Sequence, residues 1–270
     1  MPYIELPHYR LHYQQYGSGP ALVFLHGLTF DSRMWQAQYD VFRDENLVLG
    51  LDFRGHGYSD APEEPYTLDT YIGDVSALLN ALHLPNAILV GLSLGGAVAL
   101  EFAARYPQRV SGLALASPAL AGYEWSRAWK ETMNRIQQAG NLRTLRQNLR
   151  QYWLNDPMFA KVRTMREHAA LLRKMATSFS GMPLLHGNMQ IKSRDNVSDR
   201  LRKIRCPVSV VTGQGDRSDF RSIAKTLASK LERVEWHQLD DAGHMVNMEK
   251  SQHFNSLLRQ FLYRVDAGGF

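Results

Sequence analysis

Short runs of apolar and β-branched residues recur along this chain near 21–26, 47–53, 87–92, 111–116, 207–212 and 234–239. Runs of this length, bounded by turn formers, read as strands. Between them the apolar period lengthens to three or four, which predicts helices over 32–43, 68–84, 94–106, 219–232 and 250–264. The second of these shows the pattern most clearly, with Ile72, Val75, Leu78, Leu79 and Leu82 on one face. Residues 3–6 and 10–16 read as an antiparallel opening pair, and Gly17-Ser18-Gly19-Pro20 as the turn into the first parallel strand. Strand–helix alternation calls for right-handed crossovers and helices on both faces of the sheet. The expected class is therefore α/β, with an open, mostly parallel sheet. From about Ala119 to Arg205 the alternation stops. Only helical patterns remain there: Trp125–Gln138, Leu142–Leu154 and Pro157–Thr177, then a less regular run to Asp199.

The strand at 87–92 runs directly into Gly91-Leu92-Ser93-Leu94-Gly95-Gly96. A serine hydroxyl is a weak nucleophile until it is lifted clear of the backbone and given a base. Gly-x-Ser-x-Gly does the lifting, because the tight turn leaves no room for side chains two residues either side. The helix that follows aims its N-terminal amides at the same point. Ser93 is the candidate nucleophile. An orienting acid and then a histidine base are expected on later strand ends, in that order. Val208-Ser209-Val210-Val211-Thr212-Gly213-Gln214-Gly215 ends at Asp216, and the strand at 234–239 opens into Asp240-Asp241-Ala242-Gly243-His244. Gly243 is expected to let the backbone bend so that His244 swings inward. Asp216 and His244 complete a candidate triad with Ser93; Asp219 is an alternative acid, and Asp240 and Asp241 lie too close to His244 in the chain to be favoured. Ala21-Leu22-Val23-Phe24-Leu25-His26-Gly27 reads as another parallel strand. The loop beyond it brings the amide of Leu28 towards that of Leu94, a pair suited to an oxyanion hole. His26 and His56 sit in glycine turns, where the rings are expected to hydrogen-bond the loops.

One further segment, Asp52-Phe53-Arg54-Gly55-His56-Gly57-Tyr58-Ser59-Asp60, completes a pattern that resembles the α/β-hydrolase superfamily. The resemblance spans roughly residues 10 to 120 and 203 to 263. It implies a core of 1–118 and 203–270, with residues 119–202 as a helical cap over the site. A serine nucleophile argues against the dehalogenase and epoxide-hydrolase members, which use aspartate there. The segment 54–62 together with Gly91-Leu92-Ser93 is similar to the 3-oxoadipate enol-lactonase branch, a similarity shared by many esterases. The first expectation is a hydrolase of a small carboxylic ester or lactone, working through an acyl-enzyme on Ser93. The alternatives are a carbon–carbon bond hydrolase or lyase with the same triad, and a ligand-sensing regulator on this scaffold.

Composition narrows the rest. The 270 residues, 44% apolar, suffice for one large core carrying an insertion. The single cysteine, Cys206, excludes an internal disulfide framework and is expected to be buried and inert. The start of the chain shows no charged-then-apolar leader and no stretch long enough to span a membrane, so a cytoplasmic location is expected. Scattered histidines show no metal-ligand spacing, and no cofactor is implied. Charge is uneven. The 119–205 stretch holds 17 Lys plus Arg against 6 Asp plus Glu, a net of +11 in a chain of +5, which leaves −6 for the remainder. That basic surface serves either solvation or attraction of an anionic substrate or an acidic partner. No recognition motif for nucleic acid is present. Trp125, Trp129, Tyr152, Trp153, Phe159 and Phe179 are expected mainly to pack helices, with one or two reaching a substrate. Oligomeric state is not legible in these patterns.

Overall fold

The apolar runs pair into one eight-stranded sheet. A computed structural model describes residues 2–186 and 197–269. In chain order the strands are β1 (Tyr3–Glu5), β2 (Arg10–Tyr16), β3 (Ala21–Leu25), β4 (Leu47–Leu51), β5 (Ala87–Leu92), β6 (Val110–Ala116), β7 (Val208–Gly213) and β8 (Val234–Leu239). They lie side by side as β1-β2-β4-β3-β5-β6-β7-β8. β1 with β2 and β2 with β4 are antiparallel, and every other neighbour is parallel. β3, β5 and β7 are buried at every residue, as strands covered on both faces must be. β8, at the edge, is half-exposed for most of its length.

Outside the stretch between β6 and β7 the helices are α1 (Gln36–Phe42), α2 (Leu68–Ala81), α3 (Leu94–Arg105), α10 (Ser218–Lys230), α11 (Val246–Glu249) and α12 (Ser251–Asp266); α4 to α9, given below, lie between β6 and β7. The helix expected over 32–43 begins as a tight 3₁₀ turn at Ser32–Trp35, where Asp31 accepts the Arg33 amide at 3.1 Å. α2 opens with a reciprocal cap between Thr67 and Thr70. It stops three residues short of the expected 84, and His83 follows in the left-handed region at φ 53°. Phe24, fully buried in β3, packs against Trp35 and Tyr39 at ring separations of 5.3 and 5.4 Å. Truncating such a ring typically costs about 3–5 kcal/mol. Cys206 is half-buried, and that burial pushes its thiol up to about 12.

Between β6 and β7 every regular element among the described residues is helical: α4 (Arg127–Gln137), α5 (Leu142–Asn148), α6 (Ala160–Thr164), α7 (Arg166–Ser178), α8 (Met182–Leu185) and α9 (Val197–Leu201). Two expected helices are broken here. The one drawn over Leu142–Leu154 widens into a single π turn at Leu149–Trp153. The one drawn over Pro157–Thr177 becomes a 3₁₀ turn, α6 and α7, because Met165 is extended at φ −93°, ψ 104°. Residues 187–196 of the irregular run before Asp199 lie outside the described residues. This stretch is tied to the surrounding helices and loops by Ser126 to Asp219, Arg200 to Glu101, Arg33 to Ser178 and Ser180 to the Gly55 carbonyl. Among the described residues no helix is long and apolar enough to cross a membrane.

Candidate active site

Ser93 sits where β5 turns into α3, in a backbone conformation of φ 53°, ψ −111°. A non-glycine residue held there costs of order 1–3 kcal/mol, so its surroundings must over-determine it. They do. Ser93 N–H donates to Ala116 O at 3.1 Å, and its carbonyl accepts from both Ala97 and Ala119 at 3.0 Å. The flanking glycines have no room for a side chain. A Cβ on Gly91 would lie 2.5 Å from Gly95 O, and one on Gly95 would lie 2.2 Å from Leu25 O. The elbow therefore presses against the carboxyl end of β3, and its serine remains half-buried.

β7 and β8 deliver the second pair of side chains. A Cβ on Gly213 would lie 2.1 Å from Gly243 O, so the two strand-end loops are drawn together in backbone contact. Gly215 N–H then donates to Ala242 O at 2.8 Å. His244 Nδ1 meets the Asp216 carboxylate at 3.0 and 3.1 Å, with both residues buried. With Nδ1–H donated to the carboxylate, Nε2 is left as the acceptor a general base needs. Asp219 is committed elsewhere: it accepts the Ser126 amide at 2.7 Å and the Ser126 hydroxyl at 2.8 Å. Asp241 is exposed and paired with Lys161 and Lys250, and Asp240 is also exposed. Among the described residues no hydrogen bond joins the Ser93 hydroxyl to the His244 ring; such links often tighten only in a substrate complex.

The role expected of Gly243 is corrected. Its φ does not lie in the left-handed region. Glycine is required because a Cβ would lie 2.7 Å from Met158 O, the same carbonyl that accepts the His244 amide at 3.0 Å. The segment between β6 and β7 thus reaches the loop that carries His244.

The loop after β3 carries the Leu28 amide. His26 anchors it: its Nδ1–H donates to Gly27 O at 2.8 Å, and Nε2 accepts Phe53 N–H at 3.0 Å. Both nitrogens are thereby occupied with the ring neutral, and burial holds its pKa below the usual histidine value. His56 bonds Arg54 O at 3.1 Å; burial, and then the neighbouring His26, drive its pKa well below that value. Phe30 N–H closes a turn onto Gly27 O at 3.2 Å, and Thr29 between them is left-handed at φ 67°. Leu94 opens α3, so its amide has no partner within the helix.

A family model described as alpha/beta hydrolase fold matches residues 20–251. The chain belongs to this alpha/beta hydrolase family. It is 28% identical over 264 residues to the AB hydrolase superfamily protein YisY of Bacillus subtilis (strain 168), covering 94% of this chain and 96% of that one. It is 27% identical to 3-oxoadipate enol-lactonase 2 of Acinetobacter baylyi (strain ATCC 33305 / BD413 / ADP1), covering 94% and 93%. Among solved structures, the enol-lactonase from Burkholderia xenovorans LB400 superposes with a TM-score of 0.80 at 26% identity, covering 97% of this chain and all of that one.

Three contacts of this alpha/beta hydrolase carry no signal in the sequence. Glu249, on α11, is buried with an oxygen accepting the Gly243 amide, and burial raises its carboxyl above the ordinary range. Phe220, at the start of α10, lies with its ring 4.3 Å from the His244 ring. Trp153 sends its indole N–H to the Thr29 hydroxyl at 2.8 Å. None announces itself by motif, since each depends on which loops the fold brings together. Trp125 and Trp129 stack on each other at 4.7 Å and both face Phe220, and Trp129 in turn meets Trp153. Phe159 stands between Trp153 and His244, so an aromatic chain runs from the insertion to the imidazole. Among the described residues no group of three or more His, Cys, Asp or Glu is placed to hold a metal ion.

Proposed function

We propose that this alpha/beta hydrolase cleaves a small carboxylic ester or lactone through an acyl-enzyme on Ser93. The observation that carries the reading is the buried Asp216–His244 pair, with Nδ1 on the carboxylate and Nε2 free to accept. Ser93 attacks the acyl carbon as Nε2 takes its proton. Asp216 holds the tautomer and stabilises the imidazolium, and the Leu28 and Leu94 amides hold the oxyanion. His244 then protonates the leaving alcohol, and water deacylates Ser93 by the reverse sequence. In this reading residues 119–202 act as the cap over the cleft, and the aromatic chain from Trp125 to Phe159 forms its apolar wall.

Among the described residues the two buried guanidinium groups carry carboxylate partners, Arg54 on Asp74 and Arg200 on Glu101, as do the half-buried Arg33 on Asp31 and Arg217 on Asp156, while the half-buried Arg163 donates to the Leu154 and Asp156 carbonyls. Arg143, Arg146 and Arg150 are exposed, and with them much of the insertion's charge faces solvent. That arrangement favours a neutral acyl group over an anionic one. The test is a panel of p-nitrophenyl esters and lactones, neutral and anionic, at several salt concentrations. Turnover of short neutral members, abolished in Ser93→Ala, is expected. Preference for an anionic lactone with KM rising steeply in salt would move the assignment towards the enol-lactonases. Undiminished turnover in Ser93→Ala would overturn it.

A further inference from the structure

Residues 153–159 of the insertion touch all three loops that carry the candidate chemistry apart from the elbow. At one end Trp153 closes the π turn and donates to Thr29 Oγ1 at 2.8 Å, both residues being buried. Thr29 follows Leu28 directly and is a β-branched residue in the left-handed region, where it needs support from outside its own turn. Phe159 adds an edge-on contact to Phe30, with ring centroids at 5.6 Å. In the middle, Asp156 takes the Arg217 guanidinium through both carboxylate oxygens, Nε at 2.9 Å from Oδ1. Arg217 is the residue after Asp216, whose carboxylate accepts its amide at 2.7 Å. Asp156 Oδ1 also accepts the Met158 amide at 3.0 Å, and so fixes the 3₁₀ turn Pro157–Phe159. At the far end Met158 O accepts the His244 amide at 3.0 Å.

Seven consecutive residues therefore tie together the oxyanion loop, the acid loop and the base loop. The π turn serves this purpose: one extra residue in the turn re-aims the chain beyond it, and such turns gather at functional sites. We infer that 153–159 is a positioning brace. Trp153, acting through Thr29, sets where the Leu28 amide points, while Asp156 and Met158 set the spacing of Asp216 and His244. Trp153, Asp156 and Met158 are positioning residues, and they are built to stay put. An insertion that opened by lifting as one body would break every one of these contacts, so this end is fixed and any opening occurs elsewhere in it. The inference rests on the acyl-transfer reading for its kinetic consequence but not for its structural one.

The test uses the full chain with Trp153→Phe, Thr29→Val and the double variant. Thr29→Val exchanges the hydroxyl for a methyl group and keeps the branched shape, so it serves if the tryptophan variant folds poorly. Losing an oxyanion donor costs about 10²–10³ in turnover, and misaiming one should cost part of that, about 10–100-fold in kcat with KM within about threefold. The double variant should be no worse than either single one, because both cut the same link. Hydrogen exchange at residues 27–31 should quicken in each variant, with 21–25 unchanged. A kcat within twofold of the parent, a loss confined to KM, or multiplied losses in the double variant overturn the brace. If the parent cleaves no ester or lactone, the proposed function fails, and exchange at 27–31 still decides the brace: quickening supports it and unchanged rates reject it.

Discussion

At the scale of single residues, the site is organised by close backbone approach more than by side-chain type. Gly95 stands so near Leu25 O that an added Cβ would have to displace the backbone of Leu25 and His26 at the end of β3. Gly95→Ala should therefore lose several kcal/mol of stability or fail to give folded protein, as read by the urea midpoint and soluble yield. Gly73 is the contrast. It lies exposed in α2 with open space around its Cα, so Gly73→Ala should stabilise the protein by about 0.5–1 kcal/mol. An equal penalty at both positions would contradict this account. Gly91, Ser93 and Gly95 were legible in the sequence because the elbow's constraint is local, confined to five residues. Gly243 was singled out for the wrong reason. Its constraint is the carbonyl of Met158, 85 positions away in the chain, and no local pattern carries that information.

At the scale of elements, strands were read more accurately than helices. β3, β5 and β7 are buried on both faces, and continuous apolar runs announce that directly. Helix ends depended on caps and on tertiary pull. Thr67 caps the start of α2, whereas the π turn that ends at Trp153 and the break at Met165 left no periodic trace. The competing carboxylates on the loop and helix after β7 now make distinct predictions. Asp216→Asn should disturb the His244 tautomer and lower kcat by about 10³–10⁴-fold, with little change in the unfolding midpoint. Asp219→Ala removes two bonds to Ser126 at the start of α4, and should cost about 1–3 kcal/mol with a much smaller effect on turnover. A reversal of these two effects, in parallel kinetic and urea measurements, would exchange their assignments.

At the scale of the whole molecule, two buried neutral imidazoles make stability depend on pH. His26 and His56 both have pKa values held down by burial, so the unfolded chain takes up protons near pH 6.5 that the folded one refuses. The folded state is favoured fully above that pH and loses ground as pH falls through it, at up to about 1.4 kcal/mol per pH unit for each ring. Urea midpoints between pH 8 and 5 should decline accordingly, and His56→Gln should remove about half of the slope; a flat midpoint over that range would refute the argument. The same architecture gathers the candidate site residues at the carboxyl ends of β3, β5, β7 and β8, where an open parallel sheet collects its loops. The central claim is that Ser93 is the nucleophile of this cleft. Its most direct test is stoichiometric reaction with diethyl p-nitrophenyl phosphate, followed by intact-mass analysis and peptide mapping. One phosphoryl adduct on the peptide bearing Ser93 is expected, absent in Ser93→Ala and slow to form in His244→Gln. An adduct on another residue, or full labelling of the Ser93→Ala protein, would contradict the account.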